Sequence, residues 1–258
     1  MTTARPALDL SPSPGRAPYV RMLTRQAWTE TLLTLRRGES LLLTLIIPLG
    51  LLGFFCAVDA LPTDGARRVD FLTPGILALA ITSTGFTGLA IATGFERSYG
   101  VLRRLGATPL PRAVLLAGKT LAVVAVELVQ LALIAVLAEL LGWHAHGSLA
   151  AVVLLVVIGT VTFCGLGLLM AGTLPALLTL AAANGVYLVL LLLGGVVIPA
   201  SKLGPLEGFS RALPTGALSH GLRAVLLHGA ALPGADVGVL LAWAVAGLSA
   251  AAVTFRWE

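Results

Sequence analysis

GSLAAVVLLVVIGTVTFCGLGLLMAGTLPALLTLAAANGVYLVLLLLGGVVIPAS, residues 147–201, contains no charged side chain. As one continuous helix it would be about 80 Å long at ~1.5 Å per residue. A hydrocarbon layer is only about 30 Å thick. The stretch must therefore cross and turn back. Gly172, Thr173 and Pro175 carry the turn chemistry, which divides it into a span from Leu149 to Ala171 and another from Ala176 to Val197.

The rest of the chain has the same character. Of its 258 residues, 57% are hydrophobic and 11% charged, and mean hydropathy is +0.97. A soluble domain carries about a quarter charged residues, so water is not this protein's main solvent. Further apolar runs predict spans at Leu41 to about Leu61, Phe71 to Phe95, Ala113 to Leu141 and Val237 to Phe255. The predicted fold is all-α and polytopic, with six transmembrane helices. Two pieces between Pro199 and Asp236, Leu206 to Leu213 and Leu218 to Leu227, are too short to cross. They read as a re-entrant outer hairpin before the last span.

Residues 1–18, with Pro12, Pro14 and Pro18 and no apolar run, read as a disordered cytoplasmic tail; residues 19–258 form the transmembrane domain. From Tyr19 to Arg37, apolar and charged residues alternate at helical spacing, giving an amphipathic interfacial helix with Trp28 suited to the bilayer surface. No basic stretch leads into a short apolar core and a small-residue cleavage site, so a removable signal peptide is not expected. Cys56 and Cys164 lie inside apolar runs and read as small hydrophobes.

Lys and Arg set orientation. With the N-terminus inside, twelve of them fall on the cytoplasmic side, against five outside at Arg67, Arg68, Lys202, Arg211 and Arg223. Both termini are expected in the cytoplasm. The basic excess, 17 Lys plus Arg against 12 Asp plus Glu, sits between apolar runs and not on one exposed face, which argues against a nucleic-acid partner. Arg greatly outnumbers Lys, and Ala, Leu and Gly abound, which points to a bacterium with a GC-rich genome and hence to its plasma membrane.

The densest charge lies between the second and third spans, at Glu96-Arg97-Ser98-Tyr99-Gly100-Val101-Leu102-Arg103-Arg104-Leu105-Gly106-Ala107-Thr108-Pro109-Leu110-Pro111-Arg112. A helix from about Glu96 to Leu105 would put acid at its N-terminus and base at its C-terminus, matching the dipole, with Gly106 and Pro109 as stops. A rigid charged helix on the cytoplasmic face suits the grip of a soluble partner.

Phe71-Leu72-Thr73-Pro74-Gly75-Ile76, then Phe95-Glu96-Arg97, Gly100, Leu102-Arg103-Arg104-Leu105 and Ala107-Thr108-Pro109-Leu110, resemble the signature of the ABC type-two exporter permeases. Asn184, Gly194-Gly195, Pro199, Leu213-Pro214 and Ala224 match further along, and the resemblance runs from about Tyr19 to Phe255. It implies a cytoplasmic coupling helix docking on a separate ATP-binding subunit, two copies of that subunit, and a dimer of permeases, either homodimeric or heterodimeric. The coupling contacts it implies are Glu96, Arg97, Gly100, Leu102, Arg103, Arg104, Leu105, Thr108 and Pro109. Arg25 and Trp28 of the amphipathic helix add a second contact.

The chain itself has no ATPase motif. Gly118-Lys119-Thr120 ends like a phosphate-binding loop, but Ala113 stands where that loop needs Gly. No cofactor is expected in this chain; ATP and Mg belong to the partner subunit. No His-Glu-x-x-His or Gly-x-Ser-x-Gly occurs, and His144-x-His146 lacks a third metal ligand. Polar groups inside spans are functional candidates because hydrocarbon makes them expensive. Thr82, Thr84 and Thr87 of the second span, Glu127 of the third, and Asn184 and Tyr187 of the fifth are the candidate translocation path; helix–helix hydrogen bonding is the alternative role. The implied activity is export of a hydrophobic or amphipathic small molecule, drug or antibiotic-like. A lipid-linked glycan, a secondary carrier and a membrane scaffold are the alternatives.

Overall fold

The computed structural model describes residues 17–36, 38–58, 67–196 and 204–254, and these are helical with no strand among them. The elements are α1 (Tyr19–Arg36), α2 (Gly38–Ala57), α3 (Arg68–Thr82), a π-helical turn (Ser83–Gly88), α4 (Leu89–Ser98), α5 (Val101–Gly106), α6 (Arg112–Leu140), α7 (Leu149–Thr173), α8 (Ala176–Leu193), α9 (Glu207–Ala212), α10 (Pro214–Leu226) and α11 (Gly234–Thr254). Among the described residues, five helices are long and apolar enough to cross a membrane: Arg68–Ser98, in which the π turn joins α3 to α4, then Arg112–Leu140, Leu149–Thr173, Ala176–Leu193 and Gly234–Thr254. The apolar α2 is 20 residues long.

The Arg68–Ser98 crossing is the axis of the fold. Phe71, Leu72, Ile76, Leu79 and Ile81 are buried, and α2, α6, α7 and α10 pack around it. Small residues set the closest approaches. A Cβ on Gly167 of α7 would lie 2.8 Å from the Phe86 carbonyl oxygen and 2.9 Å from that of Gly85, so α7 sits directly on the backbone of the π turn. Gly165 and Gly247 likewise let α7 and α11 meet at Leu248 and Leu166, where Thr162 Oγ1 donates to the Leu240 carbonyl across the interface at 3.0 Å. This is how helices associate where lipid supplies no hydrophobic drive between them. The outer surfaces of α8 (Leu177, Leu178, Leu188, Leu192) and α11 (Val245, Val253) are apolar and exposed, as a lipid solvent requires.

The amphipathic α1 follows α6 instead of lying apart from it. Gln26 packs on Gly118, Glu30 meets Lys119, and Thr31 and Leu35 wall a groove with Ala125, Val126 and Val129. The two helices run side by side in the same direction, so α1 packs along a helix long and apolar enough to cross a membrane.

At the other end, α9 and α10 are two short helices where two short pieces were expected between Pro199 and Asp236. Pro214 occupies the first turn of α10, where its missing N–H and fixed φ suit a helix start. The pieces are not peripheral: Ala217, Leu218, Leu222 and Val225 are fully buried. One stripe of α10 receives the end of α8. Ser219 Oγ donates to the Gly194 carbonyl at 2.7 Å; Arg223 donates to the carbonyls of Gly195 and Val196 at 3.1 and 3.2 Å and lies 4.4 Å above the Phe71 ring. His220 pairs with Asp236 at 2.8 Å, tying α10 to the first turn of α11. The expectations for the N-terminal tail through Arg16, for Leu61, for Pro199 and for the last four residues fall outside the described residues.

Candidate coupling site and buried polar groups

The charged segment is not one helix. Tyr99 and Gly100 interrupt it, and Gly100 has φ +69°, a left-handed backbone that glycine adopts without steric cost. The expected helix from Glu96 to Leu105 is therefore corrected to two elements. Glu96 and Arg97 close α4, the end of the second span, and Leu102, Arg103, Arg104 and Leu105 belong to the short α5.

Their side chains part accordingly. Glu96 turns inward, where its Oε2 accepts from Lys119 Nζ at 2.5 Å, and Lys119 also meets Glu30 Oε1 at 2.9 Å. Gln26 Nε2 donates to Glu30 Oε1 at 2.8 Å. Lys119 is 2% exposed, so a buried ammonium joins carboxylates from α1 and α4 on α6. Removing one member of such a buried cluster leaves an uncompensated charge, at a cost of about 3–5 kcal/mol. Arg97 is half-buried: it donates to the carbonyls of Gly172 and Leu174 at 2.6 and 2.5 Å, where the turn from α7 to α8 leaves helix-end carbonyls needing partners. Glu96 and Arg97 are each engaged by side chains or carbonyls of other helices in the same chain.

What does face outward is α5. Arg103 and Arg104 are exposed, while Leu102 is fully buried and packs with Leu115, Leu105, Leu110 and Leu116. Thr108 Oγ1 donates to the Leu105 carbonyl at 2.6 Å, closing the end of the element, and Thr108 and Pro109 are exposed beside it. On α1, Arg25 and Trp28 are exposed, Trp28 by 62%. The result is a basic knob seated on an apolar foot.

The candidate path residues divide as well. Thr82 Oγ1 donates to its own helix at the Ala78 carbonyl, 2.8 Å away. Thr84 Oγ1 donates to Gln130 Oε1 at 2.9 Å, and Gln130 Nε2 donates to the Thr44 carbonyl at 2.8 Å, so the π turn, α6 and α2 share one network. Glu127 Oε2 accepts from Thr160 Oγ1 at 2.5 Å; its Oε1, like the Thr87 hydroxyl, is buried without a hydrogen-bond partner among the described residues. Thr82, Thr84 and Glu127 thus serve contacts within the subunit. Asn184 is separate: it is exposed on α8, its amide donating to the Leu180 carbonyl, with Tyr187 half-buried one turn further along. In the loop between α6 and α7, His144 Nδ1 lies 2.8 Å from Arg67 Nη2, and no group of three metal-ligating side chains occurs among the described residues.

Lys119 and Thr160 were missed by sequence reasoning. Lys119 had a visible signal: it stands alone among apolar residues two turns inside α6, where an ammonium needs a carboxylate. Thr160 had none.

A bundle of apolar helices long enough to cross a membrane, with the short basic α5 at its charged end, defines a polytopic membrane protein. The chain belongs to the ABC-2 type transporter family, whose model matches residues 22–227. It is accordingly a multi-pass membrane permease of an ABC transporter, the subunit that is not itself the ATPase, from a family that normally works with an ABC ATP-binding subunit. No curated protein sequence matches the chain.

Proposed function

We propose that this permease is the membrane-spanning half of an exporter that moves a hydrophobic or amphipathic small molecule out of a bacterial cell. Two copies, or one copy and a close relative, bind two ATP-binding subunits, which hold ATP and Mg. In this reading α2 is the first of six crossings, and both termini are cytoplasmic. The observation that carries it is α5, with Arg103 and Arg104 exposed and Leu102 buried. A partner that presses on this element moves more than a loop. The Glu30–Lys119–Glu96 cluster ties α1, α4 and α6 together, and Arg97 ties α4 to the turn between α7 and α8. ATP binding supplies the differential affinity that shifts such a two-state bundle. The exposed face of α8, which carries Asn184, is the part of the candidate path that remains available at a subunit interface.

The test is a mild-detergent pull-down of the tagged chain from its host, with ATPase activity measured on what is recovered. Recovery of a stoichiometric ATP-binding subunit supports the reading, and R103A/R104A should lose both the subunit and transport while still inserting in the membrane. Recovery of the chain alone under several mild detergents, or normal transport by that variant, overturns the coupling assignment.

A further inference from the structure

One stripe of α1 changes character along its length. Arg21, Arg25, Trp28, Thr31 and Leu35 follow one another at steps of four, three, three and four residues, which at about 100° per residue keeps them on one face. Arg21, Arg25 and Trp28 are exposed. Thr31 and Leu35 instead wall a groove of about 200 Å³ with Leu45 of α2 and Ala125, Val126 and Val129 of α6. The stripe is basic at one end, aromatic in the middle and aliphatic at the other. Even Thr31 turns its hydroxyl away to its own helix, donating to the Ala27 carbonyl at 2.8 Å.

The basic half lacks counter-ions. The one acid of α1, Glu30, is buried and, like Glu96, engaged by Lys119. Neither Arg21 nor Arg25 makes an ion pair among the described residues. Two free guanidiniums that lead into an aliphatic groove are complementary to a ligand with an anionic head and a hydrocarbon tail. The order along α6 agrees. Gln26 lies beside Gly118 and Leu35 shares the groove with Val129, so the arginines sit toward the start of α6 and the groove lies further along its apolar length. From Arg25 to Leu35 is about 15 Å, about half the thickness of a hydrocarbon core.

Building on the permease reading, which puts this end in the cytoplasm, we propose that α1 and α6 bind one anionic phospholipid of the inner leaflet. Its phosphodiester lies on Arg21 and Arg25, and Trp28 stands at the level of the glycerol esters, the depth that indoles favour. One acyl chain lies in the groove against Leu35, Ala125 and Val129. The volume holds a segment of chain, since about 150 Å³ takes a whole benzene. The ATP-binding subunit could meet the arginines, but a soluble protein has no hydrocarbon tail to lay along the groove.

The test is photolabelling of the full chain in phosphatidylcholine nanodiscs with phosphatidylglycerol carrying a diazirine at mid-chain, followed by peptide mapping. The comparison probe is phosphatidylcholine with the same chain. The anionic probe should label residues 31–35 and 125–129 several-fold more than the zwitterionic one, saturate, and be displaced by unlabelled phosphatidylglycerol. R21A/R25A should lower this labelling tenfold or more, at about fivefold per basic residue near an anionic surface, and leave background labelling of α11 unchanged. Ala125→Phe, which fills the groove and keeps the arginines, should abolish it with the same background. Equal labelling by the two probes, or undiminished labelling of either variant, would overturn the site. Equal labelling together with loss of the ATP-binding subunit from R21A/R25A would give the arginines to that subunit instead. Recovery of the subunit by the unaltered chain is read separately, so failure here with that recovery intact removes the lipid site and leaves the permease reading standing.

Discussion

Each end of the molecule buries one cation, and the two are neutralised by different means. At the end that carries α5, Lys119 sits between the carboxylates of Glu30 and Glu96, drawn from two other helices. At the opposite end, Arg223 is held by the carbonyls of Gly195 and Val196 and by the face of Phe71. The first arrangement uses full charges and the second uses dipoles, chiefly the negative end of α8. A charge-for-charge cluster fails abruptly when one member is lost, because the others remain buried and ionic. A cation on a helix end leaves only polar groups behind. The end that carries α5 is therefore the more brittle one.

The largest expected effect is at Lys119. Lys119→Ala leaves Glu30 and Glu96 facing each other and should destabilise by about 3–5 kcal/mol, measured as loss of folded protein in denaturant titration of the detergent-solubilised chain. Adding Glu30→Gln and Glu96→Gln to the same chain should recover much of that loss. No recovery would mean that the cluster acts by shape and not by charge. Arg223→Met should cost less, about 1–3 kcal/mol for stranded carbonyls, in the same titration. A loss equal to that of Lys119→Ala would erase the contrast between the two ends.

Packing sharpens it further. A Cβ on Gly75 would meet the Val196 carbonyl oxygen at 2.3 Å, whereas one on Gly118 would meet Gln26 Cγ at 2.6 Å. Backbone cannot step aside and a side chain can. Gly75→Ala should therefore cost about 1–3 kcal/mol and Gly118→Ala clearly less, compared by thermal unfolding. The smallest effect on stability belongs to R103A/R104A, within about 0.5 kcal/mol as for other exposed substitutions, although the same variant should abolish ATP-subunit recovery.

Much of this architecture was legible before any coordinates. Apolar runs placed the crossing helices within a few residues of their observed ends, because hydrocarbon thickness fixes their length. The turn at Thr173 to Pro175 and the short pieces on either side of Leu213-Pro214 were equally plain. The expected single helix from Glu96 to Leu105 failed for an identifiable reason. Charge density marks a cytoplasmic segment, but whether a side chain faces out or in depends on helix phase, and the left-handed Gly100 reset that phase between Arg97 and Leu102. Partners far apart in the chain were out of reach: Lys119 is separated by 89 residues from Glu30, and Arg97 by 75 from Gly172. Leu102 could be placed in the coupling element from sequence, but its role as the foot that holds the element down needed the structure.

The π turn at Ser83–Gly88 acts as a vernier. A turn of this kind accommodates one residue more than an α-helix would, and each residue advances the azimuth by about 100°. Everything between Leu89 and Ser98 is thereby rotated relative to α3 by that increment. The angular setting that points Glu96 at Lys119 and Arg97 at the end of α7 is thus fixed by six residues lying about three turns above it. Deleting one of them would leave every side chain of the coupling end in the chain and turn the whole set to face the wrong neighbours.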